Sequence, residues 1–219
     1  MIDLIGSYNI LLLIVILWEL MNKIDKPKFK SNDLYTLTVG YRGHFHKRPI
    51  TIDLKYFPSV VVTGVTMSGK TYLVHNMIKS SKIPVTVLNA YIDDFKGVKC
   101  KRINNSMKEY LSHILDNNKP EIVVIDEVYS LDKETIKILS EMLSKNRHHR
   151  KYFILITTNF CKEVAPFKSL VSARIVMRQL QKSDYNTSAG CDIIDYLPLK
   201  EREFVLISNE VVKGRTYDV

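Results

Sequence analysis

Cysteine is scarce: the 219-residue chain has three, at positions 100, 161 and 191, and no CxxC pair. An odd, widely spaced set excludes a disulfide framework and gives no zinc-ligand spacing, so reduced thiols are expected. There is one tryptophan, and no internal repeat or low-complexity tract, which excludes solenoid and collagen-like chains. No zinc finger, RNP-type aromatic motif or base-reading helix is visible, so sequence-specific nucleic-acid recognition is not supported. His44 and His46 alternate as on a strand but have no third ligand, which leaves a solvated strand as the better reading than a metal pair. What remains is ordinary: 46% hydrophobic and 25% charged residues, enough for one well-packed core. The balance of charge is not ordinary. A net charge of +9 favours a polyanionic partner, nucleic acid or an anionic membrane surface, over an acidic one.

Long hydrophobic runs are absent except at the start. Leu4 to Met21 is almost wholly apolar, Ile10 to Trp18 is unbroken, and Glu19 is its one charge. Eighteen residues at ~1.5 Å each span about 27 Å, close to a bilayer core. A basic leader and a small-residue cleavage site are both missing, which argues against a signal peptide. Lys23, Lys26, Lys28 and Lys30 follow, so the remainder is expected on the cytoplasmic side. The expected organisation is a transmembrane anchor over residues 1–21, a basic linker over 22–33, and one domain over 34–219.

Within that domain short apolar runs alternate with helical stretches, predicting an α/β fold with a mainly parallel sheet flanked by helices. Strands are expected at 34–39, 50–54, 60–63, 85–88, 121–125, 153–157, 174–177 and 204–207, and helices at 71–79, 107–115 and 133–146.

Gly64-Val65-Thr66-Met67-Ser68-Gly69-Lys70-Thr71 is G-x-x-x-x-G-K-[ST] between a predicted strand and a predicted helix, the P-loop pattern in its required context. Backbone N–H groups of such a loop form an anion nest at a helix N-terminus. Lys70 is the expected charge on the β- and γ-phosphates of ATP, and Thr71 an expected Mg²⁺ ligand. Ile122 to Ile125, apolar throughout, predicts a strand buried on both faces, and Asp126-Glu127 follows at its C-terminal end, where ligands bind such sheets. Asp126 is expected to hold Mg²⁺ through water and Glu127 to polarise the attacking water. Arg147, Arg150, Arg174 and Arg178 are candidates for extra positive charge, supplied from a neighbouring subunit as in multimeric motors. Thr157, Thr158 and Asn159 are candidates for a polar sensor, provided the strand before them neighbours the one carrying Asp126. The basic run Lys145 to Lys151 suits either DNA phosphates or a helix C-terminus.

In order and spacing these pieces resemble the FtsK/SpoIIIE/HerA group of DNA-pumping ATPases over roughly residues 46 to 210. Arg48-Pro49-Ile50-Thr51-Ile52-Asp53-Leu54 followed by Phe57-Pro58-Ser59-Val60-Val61-Val62-Thr63-Gly64 looks like the family's lead-in, and Ile125-Asp126-Glu127 like its Walker B element. Arg147 with Ile154-Leu155-Ile156-Thr157-Thr158, then Ser172-Ala173-Arg174-Ile175, the turn Ser183-Asp184 and Phe204-Val205-Leu206-Ile207, resemble later segments. Two departures stand out. Met67 replaces a glycine common in the loop, so that backbone is expected to do without glycine's freedom, and Thr158 stands where the family has glutamine. The resemblance implies a RecA-like core, a ring, hexameric as an expectation, with ATP between subunits, and sequence-independent DNA binding. With one membrane segment it resembles the minimal versions found on plasmids and in viruses. The rival readings are a phage or virus morphogenesis ATPase and a membrane-tethered ATP-binding switch.

Overall fold

The computed structural model describes residues 12–16, 33–43, 47–79, 81–158, 165–191 and 198–217. Most of the expected anchor and linker, His44, His46, Asn159 and Cys161 lie outside them. Residues 12–16 are helical and exposed. Among the described residues no helix is long and apolar enough to cross a membrane.

Among the described residues ten strands form one sheet in the order β2-β1-β10-β9-β8-β3-β7-β6-β4-β5. They are β1 (Thr36–Arg42), β2 (Arg48–Asp53), β3 (Ser59–Thr63), β4 (Val85–Leu88), β5 (Lys101–Ile103), β6 (Glu121–Ile125), β7 (Lys151–Thr157), β8 (Ala173–Met177), β9 (Glu203–Ile207) and β10 (Val211–Arg215). Within residues 33–217 the described α-helices are α1 (Lys70–Lys79), α2 (Met107–His113), α3 (Lys133–Lys145) and α4 (Lys182–Ala189). The six strands from β8 to β5 are parallel, and β9, β10, β1 and β2 continue the sheet antiparallel. The mainly parallel core is therefore as expected, with an antiparallel extension on one side.

The central strands show why. In β3, β6 and β7 successive side chains enter opposite cores. Val60, Val62, Ile122, Val124, Ile154 and Ile156 join the cluster beneath α1, with Leu73, Val74 and Met77. Val61, Val123, Ile125, Phe153 and Leu155 join the cluster beneath α3, with Ile136, Leu139 and Leu143. Each such side chain contributes about 1.5–3 kcal/mol on burial, so these strands tolerate no register slip. The α3 N-terminus is fixed by Asp132, whose carboxylate accepts from the N–H groups of Glu134 and Thr135 at 2.9 and 3.0 Å.

Two expectations need correction. Ser183-Asp184 is not a turn but the first turn of α4, with Tyr185, Ser188 and Ala189 facing inward. Lys151, in the basic run read as suiting either DNA phosphates or a helix C-terminus, is fully buried at the start of β7. Its ammonium donates to Asn117 Oδ1 and Lys119 O, each at 2.9 Å, and lies 3.3 Å from Glu121 Oε2. Thr86 and Tyr110 hydroxyls also donate to Glu121. This buried charge is compensated on all sides and structural, because an isolated buried ammonium would be costly.

Candidate nucleotide site

The parallel strands deliver the motif residues to one edge. Residues 64–69 connect β3 to α1, and the loop is braced from both neighbours: the Gly64 N–H donates to Thr158 O at 3.1 Å and the Val65 N–H to Arg178 O at 2.9 Å. A Cβ on Gly64 would stand 2.6 Å from Ser68 Oγ and 2.9 Å from Met177 Cβ, so the close approach requires glycine. Met67 takes the left-handed conformation despite its side chain, with φ 62°, and projects outward at 84% exposure. The backbone thus keeps glycine's geometry without glycine, correcting the sequence expectation. A non-glycine residue there costs about 1–2 kcal/mol, against about 0.5–1 kcal/mol of added chain entropy for glycine. Met67→Gly is therefore expected to stabilise the fold by about 0.5–1 kcal/mol. Thermal unfolding checks it; a lower Tm in the variant would refute the strain.

Lys70 Nζ donates to Gly64 O at 2.8 Å and Val65 O at 3.1 Å, so the ammonium is folded back over its own loop. Burial pushes its pKa down, while Asp126 and Glu127 pull it up. Ser68 Oγ, Thr63 Oγ1 and Arg178 Nε are buried without hydrogen-bond partners around this loop. Orphaned polar groups are uncommon in a native core and point to an arrangement completed by a ligand.

Because β6 pairs with β7, Asp126 and Glu127 emerge beside Thr157 and Thr158. All four line a cavity of about 310 Å³ together with Thr66, Met67, Gly69, Lys70 and Thr71. Asp126 is 5% exposed, and burial raises its carboxyl pKa to about 6; Asp94 and Glu127 push the same way, against the Glu127 N–H and Lys70. Glu127 is held in left-handed backbone, φ 48° and ψ 50°. Its N–H donates to Asp126 Oδ1 at 2.9 Å, and its carbonyl accepts from the Ser130 N–H at 2.9 Å and hydroxyl at 2.8 Å. Asn89 Nδ2 in turn donates to Asp126 O and Ser130 Oγ, each at 3.0 Å. Strained backbone pinned by a network is what aims a reactive side chain.

The sequence reading missed Asp94, Tyr91, Tyr72 and Tyr129, which line the same cavity. The Glu127 carboxylate beside Tyr129 raises that phenol's pKa. Asp94 lies six residues beyond the end of β4, whereas Asp126 directly follows β6, so no comparable strand-end signal marked it.

The arginines fare differently. Neither Arg147 nor Arg174 lines the cavity. Arg147 is exposed just beyond α3, at the strand end opposite the phosphate loop. Arg174 donates to Lys168 O at 2.8 Å and Ser188 O at 3.3 Å, packed where a Cβ on Gly190 would collide with it. Its guanidinium braces α4.

A strand, a glycine-bounded loop, a helix N-terminus with a lysine, and two carboxylates on the neighbouring-but-one strand define a P-loop nucleotide site. The family model of the ATPase family associated with various cellular activities (AAA) matches residues 60–179, and the chain belongs to that family. It is an ATPase, with ATP as its nucleotide. No curated protein matches the sequence. Solved structures do match. The pCW3 conjugation coupling protein TcpA, in its monomer form with ATPγS, superposes with a TM-score of 0.71 at 15% identity, over 88% of this chain and 68% of that one. The cytoplasmic domain of the Thermomonospora curvata Type VII secretion ATPase EccC gives 0.65 at 14% identity, over 84% of this chain and 26% of that one. The genome packaging NTPase B204 of Sulfolobus turreted icosahedral virus 2, with ATPγS, gives 0.54 at 14% identity, over 74% of this chain and 98% of that one. The chain thus spans about a quarter of the secretion ATPase. The resemblance drawn from the lead-in and Walker B segments is borne out in the fold.

Mg²⁺ is implied by this class. The donors fit it: the Thr71 hydroxyl and the Asp126 carboxylate are hard oxygen ligands on one cavity. Burial is the main cause of the raised Asp126 pKa, and the Lys70 ammonium offsets it only in part.

Proposed function

We propose that the chain is a membrane-anchored motor that couples ATP hydrolysis to DNA movement in plasmid transfer or partition. The observation that carries this reading is the nucleotide cavity on a fold like that of a conjugation coupling protein over 88% of the chain. The charge of +9 supports a polyanionic cargo, and the apolar run from Leu4 to Met21 supports the anchor, with the ATPase domain on the cytoplasmic face.

In this mechanism Lys70 turns from the loop carbonyls to the β- and γ-phosphates, which the loop N–H groups of residues 64–69 cradle. The Thr71 hydroxyl and the Asp126 carboxylate would hold Mg²⁺, which would supply neutralisation of the phosphate charge. Water adds to the γ-phosphorus as the bond to ADP breaks, and Glu127 takes the proton that water loses. Thr158, joined to the loop through its carbonyl, reports the state of the γ-phosphate to β7. Arg147, exposed and remote from its own cavity, is the better placed of the proposed arginines to act on a neighbouring subunit in a ring, taken as a hexamer. Arg174 would first have to leave its carbonyl partners.

The second reading, a viral genome-packaging or extrusion ATPase, is favoured by the match to 98% of the B204 chain. Capsid or coat genes beside this one would favour it; a relaxase gene would favour transfer. The engine itself is tested by ATP turnover of the full chain in detergent, with and without single- and double-stranded DNA. Stimulation is expected. A rate indifferent to every DNA would favour a nucleotide switch instead.

A further inference from the structure

A second concavity, of about 370 Å³, opens where β1 meets β10. Its walls follow from two glycines. A Cβ on Gly40 would stand 2.3 Å from Arg215 O and 2.6 Å from the Phe204 ring; one on Gly214 would stand 2.3 Å from Ile50 Cδ1 and 2.7 Å from the same ring. With Phe204 filling the space between them, neither position accepts a side chain, and β1 closes onto β10 with Tyr41 opposite Arg215.

That closure gathers charge of one sign. Arg42, Lys47, Lys213 and Arg215 line the hollow around Tyr41, and Lys47 Nζ lies 5.3 Å from the Tyr41 ring centroid. Among the described lining residues Glu203 is the one carboxylate, 3.4 Å from Lys213. Four cations around one acid repel each other, and a polyanion in the hollow relieves that repulsion. Cations flanking an aromatic face suit a phosphate backbone with a base laid on the ring. The groove is also tied to the nucleotide site: after Arg215, the Thr216 N–H donates to Arg202 O at 2.9 Å, and the Arg202 N–H donates to Ser68 O of the phosphate loop at 3.2 Å. The Arg202 guanidinium lies 4.7 Å from the Tyr72 ring centroid, and Tyr72 lines the nucleotide cavity.

We infer that this groove holds backbone phosphates of nucleic acid, an assignment that rests on the DNA-moving reading above. A lipid surface fits less well. The chain enters the domain at Tyr35, which accepts from Arg150 at 2.5 Å and packs edge-on against Tyr152, both at the start of β7 and away from the phosphate loop. The groove begins at the far end of β1, about 20 Å along the strand at ~3.3 Å per residue.

The test is binding of labelled oligonucleotide, single-stranded and duplex, to the full chain in detergent, followed by fluorescence anisotropy across a salt series. Arg42→Glu with Arg215→Glu is expected to weaken binding about tenfold or more and to flatten the logarithmic salt slope by about 1.4 on single strands and 1.8 on duplex. Lys99→Glu with Lys137→Glu makes the same charge change on exposed residues elsewhere and is expected to do far less. Should the reversal lower Tm, Arg42→Gln with Arg215→Gln is read instead, with the same sign. Equal binding by the groove variant and wild type overturns the groove, as does equal weakening by the control pair. Loss of binding to phosphatidylserine–phosphatidylcholine vesicles with DNA binding retained also overturns it. A wild-type chain that binds no DNA sinks the DNA-moving reading itself.

Discussion

Glu127→Gln is expected to bind ATP normally and to hydrolyse it about 10²–10⁴-fold more slowly. Glutamine preserves the volume and the left-handed backbone, which is pinned through the main chain and Ser130 rather than through the carboxylate. What it removes is the proton acceptor beside Tyr129 on the cavity wall. Lys70→Ala should fail earlier, at binding, because it takes away the charge aimed at the phosphates while the carbonyls of Gly64 and Val65 lose their donor. The two variants therefore separate in one pair of measurements: equilibrium binding of a fluorescent ATP analogue, and steady-state phosphate release. Turnover persisting in Glu127→Gln would end its assignment as general base. Unimpaired nucleotide affinity in Lys70→Ala would end the assignment of Lys70 to the phosphates.

The parts of the fold legible in the sequence are those where burial is two-sided. β3, β4, β6 and β7 are buried at nearly every position around an apolar centre, so a reading of hydrophobic runs finds them. β5 is Lys101-Arg102-Ile103 and largely exposed, and β10 buries two of its five residues, Val212 and Gly214. Those edges are defined by their neighbours, which a local pattern does not contain. α4 was invisible for the same reason, having few apolar residues on its inner face. At the site, the loop and Asp126-Glu127 were legible because contiguous residues carry the chemistry. Asp94 and Arg202 reach the nucleotide cavity or its loop from other elements, and tertiary packing alone brings them there, whereas Tyr129 sits in the turn just after Glu127. Met67 went wrong in an instructive way: residue type predicted a different backbone, and hydrogen bonds from Gly64 and Val65 to the neighbouring strand ends hold the loop around the strained one.

Asp126→Asn is expected to raise the Tm of the nucleotide- and metal-free chain at neutral pH while abolishing hydrolysis. The carboxyl is nearly inaccessible, and burial lifts its pKa from 3.8 to about 6. The direction follows from proton binding. As pH falls through about 6 the folded chain takes up a proton there, whereas the unfolded chain does so only near 3.8. Between those values the folded state holds more protons, so this group makes stability fall as pH rises, by an amount of order 3 kcal/mol across the interval. Asparagine keeps Oδ1 as the acceptor for the Glu127 N–H and removes the charge, so the variant gains most above pH 6 and least below pH 4. At about 2–4 °C per kcal/mol for a domain of this size, the gap near neutral pH should reach several degrees. Differential scanning fluorimetry of both proteins from pH 4 to 8 reads it directly, since other titrating groups are common to the pair. A variant less stable than wild type at neutral pH would mean the charge is already compensated in the free chain. A gain that vanishes for wild type when Mg²⁺ and ATP are added would identify what the carboxylate is kept charged to hold.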